Sequence, residues 1–446
     1  MRYSTGVAMP NTVRFNESYP VIEKSLALHE RALKRIPCGT QMLAKGTQQH
    51  TKGVAPIYLE RGKGAHVWDV DGNEFIDLTM GMGPVSLGYC YPRIDDALRD
   101  QLTRGINFTL IDKVELEVAE LLNEIVPCAE MVRYAKAGCD AASAAVRIAR
   151  AFTGRDKVVC SGYHGWHDWY IGVTSRNRGI PEAVRALTTK VGYNDLDALS
   201  AAVTDETACV IMEPVVFEEP KPGYLEAVKE LCKKRGALLV FDEIWTGFRL
   251  ALGGAQEKFG VVPDLATLSK ACANGMPIAM VAGRADVMKT CERDDFFFFT
   301  TFGGEMLSLV ATRETILEMR EKGVIAACQA RCAKLRDGYN AIAQRLDMPY
   351  TRSIGLDYRT MVSFDGADNL AKKSLVQQEL IKRGVLWTGF HHLSYSHTDE
   401  DIAYVLEAYA DVLPILKEAV AAGDVAKRLR GEPVHPVFRN LGIGQH

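Results

Sequence analysis

The sequence lacks the features that mark membrane, secreted and nucleic-acid-binding proteins. None of its apolar runs approaches the ~18 residues that a membrane helix requires. The first 20 residues contain no apolar segment of the kind found in signal peptides. Acidic residues exceed basic ones only slightly, and the formal net charge of −3 gives no electrostatic case for nucleic acid or an anionic membrane. We therefore expect no membrane partner and no nucleic-acid partner.

The sequence also has little that predicts a disulfide framework, a metal site or a dinucleotide site. Its 11 cysteines are odd in number and scattered, and Cys160 and Cys209 lie inside apolar runs, which is typical of reduced thiols in a cytoplasmic protein. Cys328 and Cys332 share a helical spacing but have no further ligands nearby. No His-Glu-x-x-His pattern occurs, and no Gly-x-Gly-x-x-Gly follows a predicted strand. We expect no metal.

Short apolar runs alternate with helical patterns from about residue 93 to 320. The runs at 132–136, 157–160, 208–212, 238–241, 265–268 and 278–282 predict strands. This alternation favours an α/β fold with a mostly parallel sheet and helices on both faces. A strand at 57–59 and a hairpin through Asp71-Gly72 are predicted before it. The last hundred residues predict a smaller α+β unit.

The segment from Leu238 to Lys270 organises the rest of the chain. Asp242 comes just after one predicted strand, 238–241, and Lys270 comes just after the next, 265–268. In open α/β sheets, ligands bind at the carboxyl ends of the strands. An amine and a carboxylate at that edge suit a pyridinium aldehyde, because the lysine forms a Schiff base and the carboxylate keeps the ring nitrogen protonated.

The same segment carries an ordered set of motifs: Phe241-Asp242-Glu243, Thr246-Gly247-Phe248-Arg249, Gly253-Gly254-Ala255-Gln256, Pro263-Asp264 and Ser269-Lys270. With these motifs the chain resembles the class III pyridoxal-phosphate (PLP) aminotransferases, most closely the glutamate-1-semialdehyde 2,1-aminomutase branch. The resemblance implies PLP fold type I, like aspartate aminotransferase. A large PLP-binding domain at 93–325, with a mostly parallel seven-stranded sheet, is then expected. A smaller α+β domain would come from both chain ends, 1–92 and 326–446.

The resemblance also implies how the cofactor is held. Lys270 and Asp242 would be the catalytic pair, and Glu213 would orient Asp242. Gly138 and Cys139 open a predicted helix whose free N–H groups would bind the phosphate. Relatives have Ser-Gly-Thr-Glu there, whereas this chain has Ala-Gly-Cys-Asp, so backbone groups would dominate.

The remaining implied contacts lie on the cofactor ring, the partner subunit and the substrate. Tyr163, within Tyr-His-Gly, would stack on one face of the ring, and Ile244 would cover the other. Thr301, in Thr-Phe-Gly-Gly, would reach the cofactor of a second subunit, which predicts a homodimer with shared active sites. Lys45 and Trp166 are candidate substrate contacts. Relatives of the aminomutase type have arginine where Lys45 stands, and an ammonium does not reproduce a planar bidentate clamp.

The sequence therefore predicts a PLP-dependent aminotransferase that moves an amino group from a small-molecule donor to a carbonyl acceptor. The acceptor could belong to sugar or specialised-metabolite biosynthesis. An intramolecular aminomutase of the glutamate-1-semialdehyde type is the first alternative, and a catalytically silent PLP-fold binding protein is the second.

Overall fold

A computed structural model describes Asn16 and residues 18–435, and these residues form two compact units. One unit is built from the part of the chain up to residue 92 together with the part from residue 326 onward. The other unit comprises residues 93–325. Each unit has its own sheet and its own apolar core, and each is described by itself below.

The regular elements follow each other in a strand and helix alternation. The strands are β1 (Leu59–Lys63), β2 (His66–Asp69), β3 (Glu74–Asp77), β4 (Met131–Ala135), β5 (Lys157–Ser161), β6 (Thr188–Lys190), β7 (Thr207–Met212), β8 (Leu238–Asp242), β9 (Leu265–Leu268), β10 (Ala279–Gly283), β11 (Thr351–Leu356), β12 (Arg359–Phe364), β13 (Val385–Leu386) and β14 (Phe390–His391). The α-helices are α1 (Glu23–Leu33), α2 (Pro92–Leu102), α3 (Lys113–Ile125), α4 (Gly138–Thr153), α5 (Asp168–Ile171), α6 (Glu182–Arg185), α7 (Leu196–Ala202), α8 (Tyr224–Arg235), α9 (Ala255–Phe259), α10 (Ala285–Met288), α11 (Met306–Lys322), α12 (Val324–Arg345), α13 (Asn369–Lys382) and α14 (Asp399–Ala422). Short 3-10 helices occupy Pro37–Gly39, Leu43–Lys45, Thr47–Gln49, Lys270–Ala273, Lys289–Glu292 and Val425–Arg428.

The unit of residues 93–325 is organised around a seven-stranded sheet with the order β4-β10-β9-β8-β7-β5-β6. Only β10 runs against its neighbours, since its pairings with β4 and β9 are antiparallel and the others are parallel. The prediction of a mostly parallel seven-stranded sheet is confirmed. Strands β7, β8, β9 and β10 are buried along their whole length, which explains why they read as continuous apolar runs.

The helices of this unit begin and end where local chemistry dictates. Helix α4 buries an alanine-rich face against the sheet and ends at Gly154, which adopts the left-handed conformation with φ 67°. Helix α8 ends in the same way at Gly236. Gly323, which adopts the left-handed conformation, separates α11 from α12.

The other unit contains two smaller sheets, with the strand orders β1-β2-β3-β13 and β11-β12-β14. Its core is formed mainly by residues of α12, α13 and α14 around the buried Trp387. The predicted hairpin through Asp71-Gly72 is confirmed as β2–β3. The strand predicted at 57–59 is wrong in its bounds, since β1 starts at Leu59 and extends to Lys63. Most of β1 is exposed, so an apolar pattern could not locate it.

Across the described residues, no helix combines the length and the apolar content needed to cross a membrane. The longest helix, α14, starts with three acidic residues, Asp399 to Asp401. Its N-cap is the predicted capping box, in which Thr398 and Asp401 satisfy each other's backbone N–H groups.

A buried histidine is held between two carboxylates in the unit that contains β2. His66 on β2 lies 2.9 Å from Glu74 on β3 and 3.1 Å from Asp401 on α14. Burial alone would lower the pKa of His66, but the hydrogen bonds to Asp401 and Glu74 dominate and raise it. A charged His66 therefore stabilises the contact between this sheet and α14.

We predict that His66 makes stability depend on pH. Its folded pKa lies above the unfolded value of about 6.5, so its contribution is complete below that pH and is lost as pH rises through the folded pKa. His66→Gln should lower the free energy of unfolding most in mildly acidic buffer, with the difference shrinking at higher pH. Urea unfolding across a pH series measures this. The control is His29→Gln, whose ring meets no carboxylate in the described structure, and a pH-independent loss in His66→Gln would contradict the prediction.

Candidate active site

The predicted site residues gather at one edge of the seven-stranded sheet. Strands β9, β8, β7 and β5 are adjacent and parallel, so their carboxyl ends meet at the same edge. Asp242 is the last residue of β8, whereas Lys270, Glu213 and Tyr163 come shortly after the ends of β9, β7 and β5. Strand β4 runs in the same direction, because it and β9 are both antiparallel to β10, so the start of α4 lies at this edge too.

Asp242 is a buried carboxylate held by three neighbours. Its Oδ2 lies 2.7 Å from Nδ1 of His164, and its Oδ1 accepts from the Thr267 hydroxyl at 3.2 Å and from the Ile244 N–H at 3.2 Å. Only 1% of the Asp242 surface is accessible. The carboxylate is therefore fixed in one orientation.

The hydrogen bonds of His164 define where its protons lie. Nε2 is 3.1 Å from the Ser161 carbonyl oxygen, which can only accept, so Nε2 carries a proton. A further proton must then lie between Nδ1 and Asp242, because two bare lone pairs would repel each other at 2.7 Å. The Trp169 ring stacks on the imidazole with centroids 5.9 Å apart and fixes its plane. His164 thus supplies a charge-assisted contact that holds Asp242.

Glu213 and Tyr163 are joined through the backbone. A carboxylate oxygen of Glu213 accepts from the Tyr163 N–H at 2.9 Å. This approach requires Gly162, which has φ 103° and where a Cβ would lie 2.6 Å from Glu213 Oε2. Tyr163 is 41% exposed, so part of its side chain is accessible to a ligand. The orienting role predicted for Glu213 toward Asp242 stays a prediction.

The backbone at the start of helix α4 lies close to the Ile244 side chain. A Cβ at Gly138 would lie 2.6 Å from Cδ1 of Ile244, so a larger residue here would displace that side chain. The Ala137 N–H donates to Asp140 at 2.8 Å, whereas the Gly138 N–H has no acceptor among the described residues. Free N–H groups at a helix start attract anions. The contact between Gly138 and Ile244 places Ile244 beside the helix start that contains Gly138 and Cys139.

Lys270 has an unusual backbone and a close aromatic neighbour. Its φ of 43° lies in the left-handed region, where non-glycine residues are uncommon and often functional. Its Nζ lies 3.5 Å from the centroid of the Trp245 ring, a cation–π distance. The amine is therefore held within the unit that carries Asp242.

The second residue of the acidic pair has a structural task. Glu243 is completely buried and accepts from the Thr246 hydroxyl and the Ala255 N–H. It also accepts from the backbone N–H and the side-chain amide of Gln256. Burial raises the pKa of Glu243, and these hydrogen bonds oppose that rise. Glu243 fixes the loop after β8 and is not available for chemistry.

Three predicted residues lie in exposed positions. Thr301 and Trp166 are exposed in the same unit as Asp242, and Trp166 is 68% accessible. Lys45 is exposed in the other unit, at the end of the 3-10 helix Leu43–Lys45, where its charge acts on buried Asp77. Their predicted contacts to a partner subunit or substrate stay predictions.

The position after the Thr-Phe-Gly-Gly motif is explained by local contacts. Glu305 caps α11 by accepting from the N–H groups of Leu307 and Ser308, and it pairs with Lys136 Nζ at 2.7 Å. Burial would raise the pKa of Glu305, but the contacts with Lys136 and Ser308 lower it overall. The Glu305 carboxylate thus acts as the N-cap of α11.

Comparison with known proteins identifies the family. The model of the aminotransferase class-III family matches residues 47–413. The chain belongs to the class III aminotransferases. It is 36% identical over 411 residues to 3-aminobutyryl-CoA aminotransferase of Cloacimonas acidaminovorans, covering 89% of this chain and 98% of that relative. It is 32% identical to glutamate-1-semialdehyde 2,1-aminomutase of Syntrophobacter fumaroxidans, covering 90% of this chain and 99% of that relative.

Solved structures agree with this class III assignment. The PLP-containing FumI protein of Sphingopyxis sp. MTA144 aligns with a TM-score of 0.84 and 27% identity, covering 92% of this chain and 99% of the other. A β-phenylalanine aminotransferase of Variovorax paradoxus aligns with a TM-score of 0.77 and 26% identity, covering 90% and 95%. The predicted family, fold type I, enzyme class and PLP cofactor are confirmed.

The residues at the sheet edge fit pyridoxal phosphate. The helix start at Gly138 offers an N–H group without an acceptor, and the glycine leaves room where any side chain would meet Ile244. Asp242 is a buried acceptor for a protonated ring nitrogen, and Lys270 supplies a primary amine. No other cofactor class is suggested by this set of donors.

Sequence reasoning missed the partners of Asp242 in this class III site. His164 was assigned only to a ring-stacking motif, and Thr267 was read as a strand residue. Both lie far from Asp242 in sequence, at separations of 78 and 25 residues. The strand order could have suggested them, since β5 and β9 both end at the edge where Asp242 lies.

We predict that His164 positions Asp242. His164→Phe should slow the reaction with an amino donor by about ten- to a hundred-fold, since a hydrogen bond to a charged group contributes roughly 1.5–3 kcal/mol. Half-saturation by the donor should change little. Stopped-flow absorbance of the bound cofactor measures the rate. His164→Gln should recover part of it, and Trp169→Phe controls for altered packing, so equal losses in Trp169→Phe and His164→Phe would refute the positioning role.

Proposed function

We propose that this protein transfers an amino group between two molecules, from an amino donor to a carbonyl acceptor, with Lys270 and Asp242 as its catalytic residues. The observation that carries the proposal is their joint placement at the ends of the adjacent parallel strands β9 and β8. Bound pyridoxal phosphate supplies an electron-withdrawing ring that stabilises negative charge on the carbon losing a proton. All other steps depend on groups of this chain.

Lys270 is the proposed Schiff-base lysine and proton carrier. Its primary amine is the kind of group that attaches an aldehyde cofactor, and the released amine can move a proton between neighbouring carbons. Asp242, held by His164, is proposed to keep the ring nitrogen protonated.

The phosphate and ring contacts follow from the same arrangement. Gly138 and Cys139 at the start of α4 are proposed to bind the phosphate, mainly through backbone N–H groups. Tyr163 is proposed to stack on one face of the ring and Ile244 to cover the other. Glu213 accepts a hydrogen bond from the Tyr163 N–H at 2.9 Å and so supports that stacking position.

Lys45 favours transfer between molecules over an intramolecular aminomutase reaction. Aminomutase-type relatives present an arginine at this place, whose planar guanidinium binds a carboxylate with two hydrogen bonds, and an ammonium cannot do so. We propose Lys45 and Trp166 as substrate contacts. The acceptor is proposed to belong to the biosynthesis of small molecules such as sugars. The aminomutase reaction remains the second candidate because of the relatives with that name.

We also propose a cytoplasmic homodimer in which Thr301 contacts the partner's cofactor. The location is supported by the eleven cysteines, all of which are free thiols. The dimer is supported by the exposed loop before α11, where Phe297, Phe299 and Phe302 are each at least 60% accessible. Such apolar side chains are costly to leave in water.

The proposed reaction predicts the fate of a labelled nitrogen. Wild-type protein given a 15N-labelled amino donor and an unlabelled carbonyl acceptor should form labelled amine product, which mass spectrometry detects. Lys270→Ala should form none, because neither attachment nor proton transfer remains, whereas Lys258→Ala, which changes an exposed lysine on α9, should match the wild type. Product that keeps its own nitrogen without any donor would support the aminomutase instead, and full activity of Lys270→Ala would refute its role.

The proposed dimer predicts that Thr301 strengthens cofactor binding. A hydrogen bond to a charged phosphate contributes roughly 1.5–3 kcal/mol, so Thr301→Ala should weaken PLP binding by about ten- to a hundred-fold. The dimer should persist in size-exclusion chromatography, since only a hydroxyl contact is removed. Thr301→Ser retains the hydroxyl and serves as the control. Unchanged cofactor affinity in Thr301→Ala, or a fully active monomer, would contradict the proposal.

A further inference from the structure

Three side chains that the sequence keeps apart form a potential set of metal ligands beside the start of α4. Cys139 and Asp140 lie in the first turn of α4, and His167 precedes α5. The thiol, a carboxylate oxygen and an imidazole nitrogen lie within 4.8 Å of one another. His167 Nε2 and Asp140 Oδ1 are 3.7 Å apart. This separation is close to that of two ligands bound at about 2.1 Å to one tetrahedral ion.

The imidazole of His167 is oriented for coordination by hydrogen bonds that use its other nitrogen. Nδ1 lies 2.7 Å from the Ser143 hydroxyl oxygen. That oxygen also accepts from the Trp169 indole N–H at 2.9 Å. When the hydroxyl accepts from Nδ1–H as well, the lone pair of His167 is on Nε2, the atom that faces Asp140. Metal-bound histidines are characteristically held by such a partner on the second nitrogen.

The other two ligands are oriented as well. Asp140 Oδ2 accepts from the Ala137 N–H at 2.8 Å, which leaves Oδ1 turned toward His167. The Cys139 thiol has Trp166 as a hydrogen-bond partner. Burial is the main reason why the pKa of the Cys139 thiol is raised, and nearby Asp140 raises it further. A bound cation would counteract both effects, because its charge favours the thiolate and neutralises Asp140.

We infer that Cys139, Asp140 and His167 form a binding site for a thiophilic divalent cation, with zinc as the best match. One sulfur, one nitrogen and one carboxylate oxygen are the ligand types that zinc takes, and a fourth position would be left for water or another ligand. On binding, a Zn–S bond forms and the thiol proton is released to solvent, so the site's charge balances. The side chains of Asp140 and His167 are about 30% accessible, which provides an entry path.

The proposal does not depend on the reaction that the protein catalyses. Calcium and magnesium are disfavoured, since both prefer sites made only of oxygen ligands. The site was not predicted from the sequence, because its ligands match no metal-binding motif and come from two segments of the chain, Cys139-Asp140 and His167. Only the packing of α4 against the loop after β5 brings them together.

Equilibrium dialysis of the purified, cofactor-loaded protein against zinc tests the inference, with zinc and cofactor measured on each sample. The wild type should bind one zinc per chain at a saturable site. Cys139→Ser and His167→Gln should lose that site, and Ser143→Ala should weaken it by about ten-fold or more, as loss of an outer partner does. Cys291→Ser, which changes a half-buried thiol elsewhere in the same unit, should bind like the wild type.

Cobalt provides a second measurement that does not depend on activity. Wild-type protein loaded with Co²⁺ should show a sulfur-to-metal charge-transfer absorption that is absent from Cys139→Ser and present in Cys291→Ser. Zinc binding that is unchanged in both Cys139→Ser and His167→Gln would overturn the inference. So would cobalt binding without a sulfur band, or the absence of saturable zinc binding in the wild type. Transamination by a metal-free sample leaves the proposed function intact whatever the zinc result.

Discussion

The pairing between β8 and β9 is the constraint on which the site depends. Asp242 is opposite Thr267 in the parallel register, and the Glu243 N–H donates to the Thr267 carbonyl at 2.9 Å. Successive side chains of a strand point to opposite sides, so a shift by one residue would exchange Asp242 and Glu243. In this register Asp242 contacts His164. Glu243 points the other way and accepts a hydrogen bond from the loop after β8. Two adjacent acids therefore have separate tasks, one in the site and one in the fold.

Close backbone contacts set the second constraint on the same edge. Gly138 allows Ile244 to lie against the start of α4, and Gly162 allows Glu213 to reach the Tyr163 N–H. Each contact joins two segments that follow different strands, so these segments are held together at the sheet edge. Strands β7 to β10 hold these segments in place, because a fully buried strand has little freedom to move without opening the core.

The sequence predicted the framework of the 93–325 unit because its strands are short continuous apolar runs between glycines and helices. The strand at 265–268 was predicted with the bounds that the structure has. Strand β1 was misplaced, since exposed strands carry no apolar signal. The position of Lys270 could be predicted because a strand end points to a sheet edge. The His164 contact could not, because it depends on which strands are neighbours.

The donors at the start of α4 show why this chain departs from its relatives at several positions together. Ala137 and Cys139 replace hydroxyl residues, and Asp140 occupies the Ala137 N–H, so Gly138 is left as the clear backbone donor. Lys136 is nearby in sequence, but its charge is paired with the Glu305 carboxylate. An anion here therefore meets helix N–H groups more than side-chain donors, and the helix dipole becomes a larger share of the attraction. The thiol at 139 lies at the helix start that we propose as the phosphate contact, and the inferred cation site depends on the same side chain. Because thiolates are ligands for soft cations, a cysteine here brings a chemistry that a hydroxyl side chain would not.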